Sequence, residues 1–286
     1  MKTRKTNALS IDVEDYFQVS AFEAYISKDQ WGSLPHRIEN NTYKILDLLT
    51  AKKVKATFFT LGWIAERYPS IVNRIVSDGH ELACHGFEHI RVTEQTPDLF
   101  RSDVYKAKNI LEQLSGKEVK GYRAASYSIG ASNLWALNVL QELGFKYSSS
   151  IYPVKHDLYG MPEAPRFMFE PIQDQDFKEI PITTVRFCNK NWPCGGGGFF
   201  RFYPYALSKW AINRVNLQEQ QSAIFYFHPW EIDPKQPRQP GLSLKTHTRH
   251  YLNLAKMEAR LNQLLTDFKW DTMENVFDIK QGQKHD

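Results

Sequence analysis

Short β-rich runs alternate with amphipathic stretches over the first 150 residues, and this pattern limits the fold more than any other feature. "ALSIDV" (Ala8–Val13) reads as a strand. Arg37–Lys53 carries Ile38, Ile45, Leu46, Leu48 and Leu49 at mostly helical spacing. "KATFFTLG" is β-branched and aromatic, hence a strand, and "PSIVNRIVSDG" is a helix opened by Pro69 and closed by Gly79. "HELAC" is a strand, and a helix follows over about Pro97–Leu114. Then come the strand "KGYRAA", a helix over Asn133–Leu143 and the strand "FKYSSS". Repeated strand–helix units imply parallel strands with right-handed crossovers, in a sheet that is open and doubly wound or closed into a barrel.

From Ile151 to Gly198 the texture changes to prolines and the run "CGGGG", which predicts long irregular loops with room for an antiparallel excursion. A helix is expected over about Pro204–Leu217, and "SAIFYFHPW" reads as a buried strand. A last helix carries Leu254, Met257, Leu261, Leu264, Leu265 and Phe268 on one face. No repeat or low-complexity linker divides the chain, so one α/β domain over 1–286 is expected, elaborated from about 151. With 286 residues and 42% hydrophobic content there is ample core for a single barrel. A net charge of +4, with dispersed cations, argues against a nucleic-acid partner bound through phosphates. Cys84, Cys188 and Cys194 form no C-x-x-C pair, which fits a reducing compartment, all three being expected as small hydrophobes. The basic opening lacks an apolar signal region and no run is long enough for a membrane helix. The expected location is therefore cytoplasmic.

In such folds functional groups gather at the carboxyl ends of strands. "ALSIDV" delivers Asp12, Glu14 and Asp15 there, "HELAC" delivers His85 and His89, "KGYRAA" delivers Arg123 and "AIFYF" delivers His228. Taken singly, each has a plain explanation: a turn aspartate, a core histidine, a surface ion pair. The His-x-x-x-His spacing can place two imidazoles on one face of a helical turn, but nine histidines make one such spacing unexceptional. Together they form the inventory of a metal hydrolase. A carboxylate with two histidines leaves coordination positions open, a second carboxylate can take a proton from water, and an opposed histidine can protonate a leaving group. Strand alternation favours Glu14 over Asp15 as the companion of Asp12.

"SIDVED", "HGFEH", "GYRAASYS" and "FYFHPWE", in that order, resemble the motifs of the polysaccharide deacetylases (NodB-homology, carbohydrate esterase family 4). "YSSSIYPVKHDLYGMPEAPRF", "GGGGFFRFYPY" and "RHYLNLAKMEARL" further resemble the subgroup linked to exosortase and exopolysaccharide loci. The resemblance implies a distorted (β/α) barrel with fewer than eight regular units. It implies Asp12 as base, His85, His89 and Glu14 (or Asp15) as metal ligands, Arg123 orienting the base, and His228 as general acid. It also implies an oxyanion donor from the Tyr127 N–H and zinc as the ion, with Co, Fe or Ni admissible. The implied reaction is removal of N-acetyl groups from amino sugars of a glycan; a substrate lipid-linked at the inner membrane face, or a nucleotide sugar, would reconcile this with the expected cytoplasmic location. Three departures touch the proton relay. Val13 separates the carboxylates, Ala125 stands where a proline is common, and Ser148–Ser150 replace a bracing aspartate. The rivals are a cyclic-amide hydrolase with a closed pocket and a glycan-binding pseudo-deacetylase. Tyr16, Phe17, Trp31, Trp192, Phe199 and Tyr203 are candidate sugar platforms, and the "CGGGG" glycines are expected to allow close backbone approach beside the groove.

Overall fold

A strand flanked on both edges and covered on both faces is shielded from water, and β1 (Thr6–Val13) is buried from Asn7 to Val13, its polar Asn7, Ser10 and Asp12 all hydrogen-bonded inside. The computed structural model describes residues 5–156, 159–173 and 176–279; Asp157 and Leu158 of the quoted motif, and the ends of the expected 1–286 span, lie outside these. After β1 come α1 (Ile38–Lys52), β2 (Thr57–Thr60), α2 (Gly62–Arg67), α3 (Pro69–Ser77), β3 (Glu81–Cys84) and α4 (Pro97–Ser115). There follow β4 (Gly121–Tyr122), α5 (Trp135–Glu142), β5 (Tyr147–Ser148) and β6 (Lys178–Glu179). The second half adds the hairpin β7 (Thr184–Phe187) and β8 (Lys190–Pro193), α6 (Gly197–Phe202), α7 (Tyr205–Asn213) and β9 (Ile224–Phe227). It ends with α8 (Leu244–Tyr251), α9 (Leu254–Asp267), β10 (Lys269–Asp271) and α10 (Met273–Val276).

Eight strands form one parallel sheet. β1 pairs with β10 over Thr6–Ala8, with β9 over Ala8–Ile11 and with β2 over Ser10–Val13, and β2 to β6 continue in order. Between β6 and β9 the irregular chain closes the wall: Ile224 N donates to Thr183 Oγ1 at 2.6 Å, and Gly196 bridges to Tyr226. This is the distorted (β/α) barrel expected, its regularity lost where β4, β5 and β6 shrink to two residues each. "KGYRAA" is thus strand only at Gly121–Tyr122, because the chain leaves the sheet at Arg123 to enter the rim.

Local chemistry explains the helix ends. Thr96 caps α4, its hydroxyl accepting from Leu99 N at 3.3 Å, Pro97 opens it, and Gly116 closes it at φ 64°. The apolar face of α9 is buried at Leu254, Met257, Leu261, Leu264 and Leu265, worth about 1.5–3 kcal/mol for each large side chain. α2, α6, α8 and β10 were not foreseen; none is longer than eight residues, too short for a clear periodic signal. The hairpin β7–β8 supplies the antiparallel excursion. Cys84 and Cys194 are buried, but Cys188 sits exposed in the hairpin turn at φ 50°, correcting the expectation that all three are buried hydrophobes. Among the described residues no helix is long and apolar enough to cross a membrane.

The amino-terminal end of the sheet carries a buried carboxyl group. Glu81 accepts from Thr57 Oγ1 at 2.5 Å, Tyr147 OH at 2.7 Å and Glu274 N at 3.0 Å, tying α10 to the barrel floor. Burial, with Glu274 nearby, pushes its carboxyl up to about 7 from 4.5. Below pH 4.5 the group is protonated folded or unfolded and contributes no pH dependence. As pH rises from there to about 7 the unfolded chain ionises first, so stability falls. Relative to wild type, Glu81→Gln should therefore gain on the order of 3 kcal/mol between pH 4.5 and 7, measured by urea unfolding at each pH. A constant difference across that range would show that Glu81 ionises normally.

Candidate active site

The carboxyl end of the sheet brings the motif residues together. Arg123, fully buried, leaves β4 and donates through Nη1 to Asp12 Oδ1 at 2.6 Å and to Ser10 Oγ at 2.8 Å. Its Nε and Nη2 reach the Ser149 carbonyl at 3.2 Å and Ser149 Oγ at 3.1 Å, and its plane lies 4.0 Å from the Phe59 ring. Of the serines that stand in place of an aspartate, Ser149 still braces the arginine, through its carbonyl and its hydroxyl. Behind them Glu179 accepts from Ser150 N at 2.9 Å and Ile151 N at 2.8 Å.

β1 ends at Val13, and the chain turns with Glu14 N donating to Asp12 O at 3.0 Å. Glu14, His85 and His89 each offer a ligand atom, and the three atoms lie within 4.8 Å of one another. His89 Nε2 is 2.9 Å from Glu14 Oε2. Ligand atoms around one tetrahedral ion stand about 3.3 Å apart, from bond lengths of about 2.0–2.1 Å, so the cluster is of the right size. His85 donates its Nδ1–H to the Arg123 carbonyl at 2.8 Å, which leaves Nε2 as the lone-pair nitrogen toward the cluster. Burial pushes His85 down to about 4, keeping it neutral. Burial would raise Glu14, but His89, His228 and His85 outweigh it and hold the carboxyl at about 2. The donor set fits a divalent ion.

Asp15 faces elsewhere. Its Oδ2 accepts from Arg37 N at 2.7 Å and Ile38 N at 3.0 Å, and its Oδ1 from Tyr16 N at 2.8 Å, fastening the start of α1. The histidine pair is not on a helical turn. His85 follows β3 directly and His89 sits in a loop at φ 54°, so the chain doubles back to bring the ring centroids to 5.3 Å. The Tyr127 amide also differs from expectation. It donates to Ala124 O at 3.1 Å within a turn, so it is not free to receive an oxyanion, while the Tyr127 phenol reaches Asp12 Oδ2 at 3.5 Å.

His228, at the end of β9, points Nε2 toward both carboxylates, 3.5 Å from Glu14 Oε1 and 3.9 Å from Asp12 Oδ2. Its Nδ1–H donates to Glu231 Oε1 at 2.8 Å, and Glu231 Oε2 accepts from buried Arg201 Nε at 2.7 Å. Burial would lower His228, but Glu14, Glu231 and Asp12 overcome it and lift the imidazole to about 9. The ring stacks on Trp230 at 5.2 Å, and Trp230 stacks on His250 at 4.3 Å. Glu231 was legible as the His-x-x-Glu spacing in "HPWE"; Arg201 carried no mark among 36 Lys and Arg. The glycine run packs on this unit: a Cβ on Gly197 would come within 2.3 Å of Glu231 Oε1. Of the six candidate platforms, Tyr16 is buried packing, Phe17 and Trp31 are largely buried in the wall of a cavity that reaches His89, and Trp192, Phe199 and Tyr203 line a cavity in the C-terminal half.

Residues 28–148 match the family model "Polysaccharide deacetylase". The chain carries a polysaccharide deacetylase domain. Residues 149–278 match a domain of unknown function, DUF3473. His85, His89 and Arg123 fall in the deacetylase match, His228 and Glu231 in the second, and Asp12 and Glu14 precede both. A peptidoglycan-N-acetylglucosamine deacetylase of Bacillus cereus is 42% identical over 82 residues, 29% of this chain and 30% of that protein's own length. In structure, a Mycobacterium smegmatis protein assigned to the polysaccharide deacetylases aligns over 98% of this chain and 92% of its own, with TM-score 0.61 and 17% identity. A CE4 family pseudoenzyme from Bacillus anthracis aligns over 98% of this chain and 68% of its own, with TM-score 0.50 and 14% identity. These structural likenesses establish the fold.

The geometry sets two expectations for metal analysis of the purified protein. The His85→Ala, His89→Ala double variant should hold no divalent ion by elemental analysis. Glu14→Ala should lose the ion far more readily than Asp15→Ala, whose cost should instead appear as a lower Tm. Metal retained in the double variant would rule out the cluster, and loss confined to Asp15→Ala would exchange the ligand assignment.

Proposed function

We propose that this chain is a metal-dependent N-deacetylase of amino sugars in a glycan, acting in exopolysaccharide assembly, with residues 1–286 working as one domain. The observation that carries the reading is the placement of two proton carriers, Asp12 and His228, 3.9 Å apart beside the Glu14–His85–His89 cluster. Neither family match contains the whole set, and β9 and β10 of the second match pair with β1, which supports a single working unit. The subgroup resemblance supports the exopolysaccharide role.

Two imidazoles and a carboxylate suit zinc, with cobalt, iron and nickel as alternatives. An ion held there would polarise the acetamide carbonyl and acidify a water molecule. Asp12 is the base. The Arg123 guanidinium on Oδ1 fixes its orientation and leaves Oδ2 as the atom that takes the proton from the attacking water. His228 is the acid: Glu231 anchors Nδ1–H, and the Nε2–H delivers a proton to the departing amine as the C–N bond breaks. Water adds to the carbonyl carbon, so acetate and a free amine leave together. The Tyr127 phenol, its pKa raised well above 10 by burial, keeps its proton and remains a donor toward Asp12. A cavity of about 570 Å³ reaches His89 and is bordered by the exposed Glu23, Lys28 and Glu94, a surface groove that suits a glycan better than a small cyclic amide.

The direct test is acetate release from N-acetylated oligosaccharides, abolished by a chelator and restored by zinc. Asp12→Asn should keep the metal and the fold yet lose about 10²–10⁴ in kcat, since an amide cannot accept the proton. His228→Ala should be slow on the glycan and much less impaired on an activated acetate ester, whose leaving group needs no proton. Near wild-type turnover by Asp12→Asn would overturn the mechanism. A chain that binds oligosaccharide and releases no acetate would be a binding module instead.

A further inference from the structure

Two cavities lie side by side in the C-terminal half, away from the metal cluster. One, about 390 Å³, runs between the hairpin β7–β8 and α7 and is lined almost wholly by carbon, including Val185, Leu207 and Trp210. The other, about 670 Å³, is lined by Lys155, Arg186, Lys190 and Arg249 and by no carboxylate among the described residues. They share Trp192, Pro193 and Tyr203. Both volumes fall within the roughly 300–1,000 Å³ of ordinary ligand sites. The apolar walls are unusually open for a soluble surface: Phe187 is 53% exposed, Trp192 47% and Leu207 43%. Lys155, Arg186 and Lys190 are exposed and make no ion pair among the described residues.

The basic cavity is linked to the candidate site through two successive ring contacts. His156, on its wall, stacks on Tyr159 at 4.0 Å; Tyr159 meets Tyr127 at 6.0 Å, and the Tyr127 phenol reaches Asp12. On its other wall Arg249 precedes His250, which stacks on Trp230 beside His228. A cationic pocket that shares its walls with an apolar groove is complementary to an anion with a hydrocarbon tail. We propose that this double groove holds the aglycone of the substrate, a lipid diphosphate on which the glycan is carried. The phosphates face Lys155, Arg186 and Lys190, and the lipid chain lies along Val185, Trp192, Leu207 and Trp210. A concave groove takes one chain, whereas a bilayer would meet a convex apolar face. The assignment rests on the deacetylase reading above for its catalytic consequence, but binding is testable without it.

The experiment compares acetate release from one N-acetylated oligosaccharide, free and joined by diphosphate to a short, soluble prenyl chain. The linked form should have a kcat/KM about tenfold higher or more, mostly through KM, because a remote group adds binding energy. In the Arg186→Glu, Lys190→Glu variant the ratio of linked to free should fall toward one. A ratio of one in the wild type, with acetate released from both, overturns the groove and leaves the deacetylase reading standing. If neither releases acetate that reading fails, and tryptophan fluorescence with the short prenyl diphosphate decides the groove: binding lost in the charge-reversed variant supports it, and no binding overturns it. Inorganic diphosphate competing as well as the prenyl form overturns the lipid half. Sedimentation with phosphatidylglycerol vesicles, without binding of the soluble prenyl diphosphate, overturns it in favour of a membrane-docking face.

Discussion

The buried pair of Arg123 and Asp12 organises the carboxyl end of the barrel. A guanidinium removed from water costs several kcal/mol unless every N–H finds an acceptor. Here the acceptors come from β1 (Asp12, Ser10) and from Ser149, just past β5, while Phe59 of β2 supplies a ring face. One side chain therefore fixes the relative heights of four strand ends. The same residue's carbonyl receives His85 Nδ1–H, so the tautomer of a candidate ligand depends on where Arg123 sits. The orientations of Asp12 and of His85 are then one constraint rather than two.

The second half of the chain completes this rim instead of decorating it. β9 and β10 flank β1, and without them the strand bearing Asp12 would be an edge. β9 also delivers His228, and the chain before it places Arg201 and the glycine run against Glu231. His228 is thereby held from both sides: Glu231 fixes its Nδ1, and Trp230 fixes its plane. The deacetylase match, which stops at residue 148, contains His85 and His89 but not His228. On the proposed mechanism, the region of unknown function supplies one of the two proton carriers.

Much of this was legible in the sequence because it rests on local rules. Strand alternation chose Glu14 over Asp15, and the structure places Glu14 in the cluster and Asp15 on the start of α1. The helices α1, α3, α4, α5 and α9 announced themselves through periodicity and caps. What escaped depended on the tertiary path. The His85–His89 pair has helical spacing, yet the loop after β3 brings the rings together with a left-handed residue. Tyr127 was read as an amide donor, but the turn after Arg123 consumes that amide and turns the phenol inward. Arg201 is one cation among many until α6 packs on β9. Nor does composition distinguish the exposed Trp192 from the buried Trp31; only the hairpin that lifts one of them off the core does.

Glu14 and Glu81 show how position in the barrel converts one residue type into two functions. Both are almost fully buried, and burial alone drives both carboxyls upward. At the carboxyl end of the sheet Glu14 meets three imidazoles, which outweigh desolvation and hold it ionised at about 2. At the opposite end Glu81 meets hydroxyls, one amide and another carboxylate, which do not, and it rises to about 7. The first is therefore a carboxylate held ionised among imidazoles, an anion suited to a cation. The second is close to neutral and fully hydrogen-bonded, suited to holding α10 on the floor of the barrel. Parallel topology makes the difference systematic: strand ends with irregular loops gather histidines and arginine, and strand starts receive helix termini and hydroxyls. Anchorage and the candidate site are separated by the length of the strands, so the floor is closed tightly while the rim keeps a cavity that reaches His89.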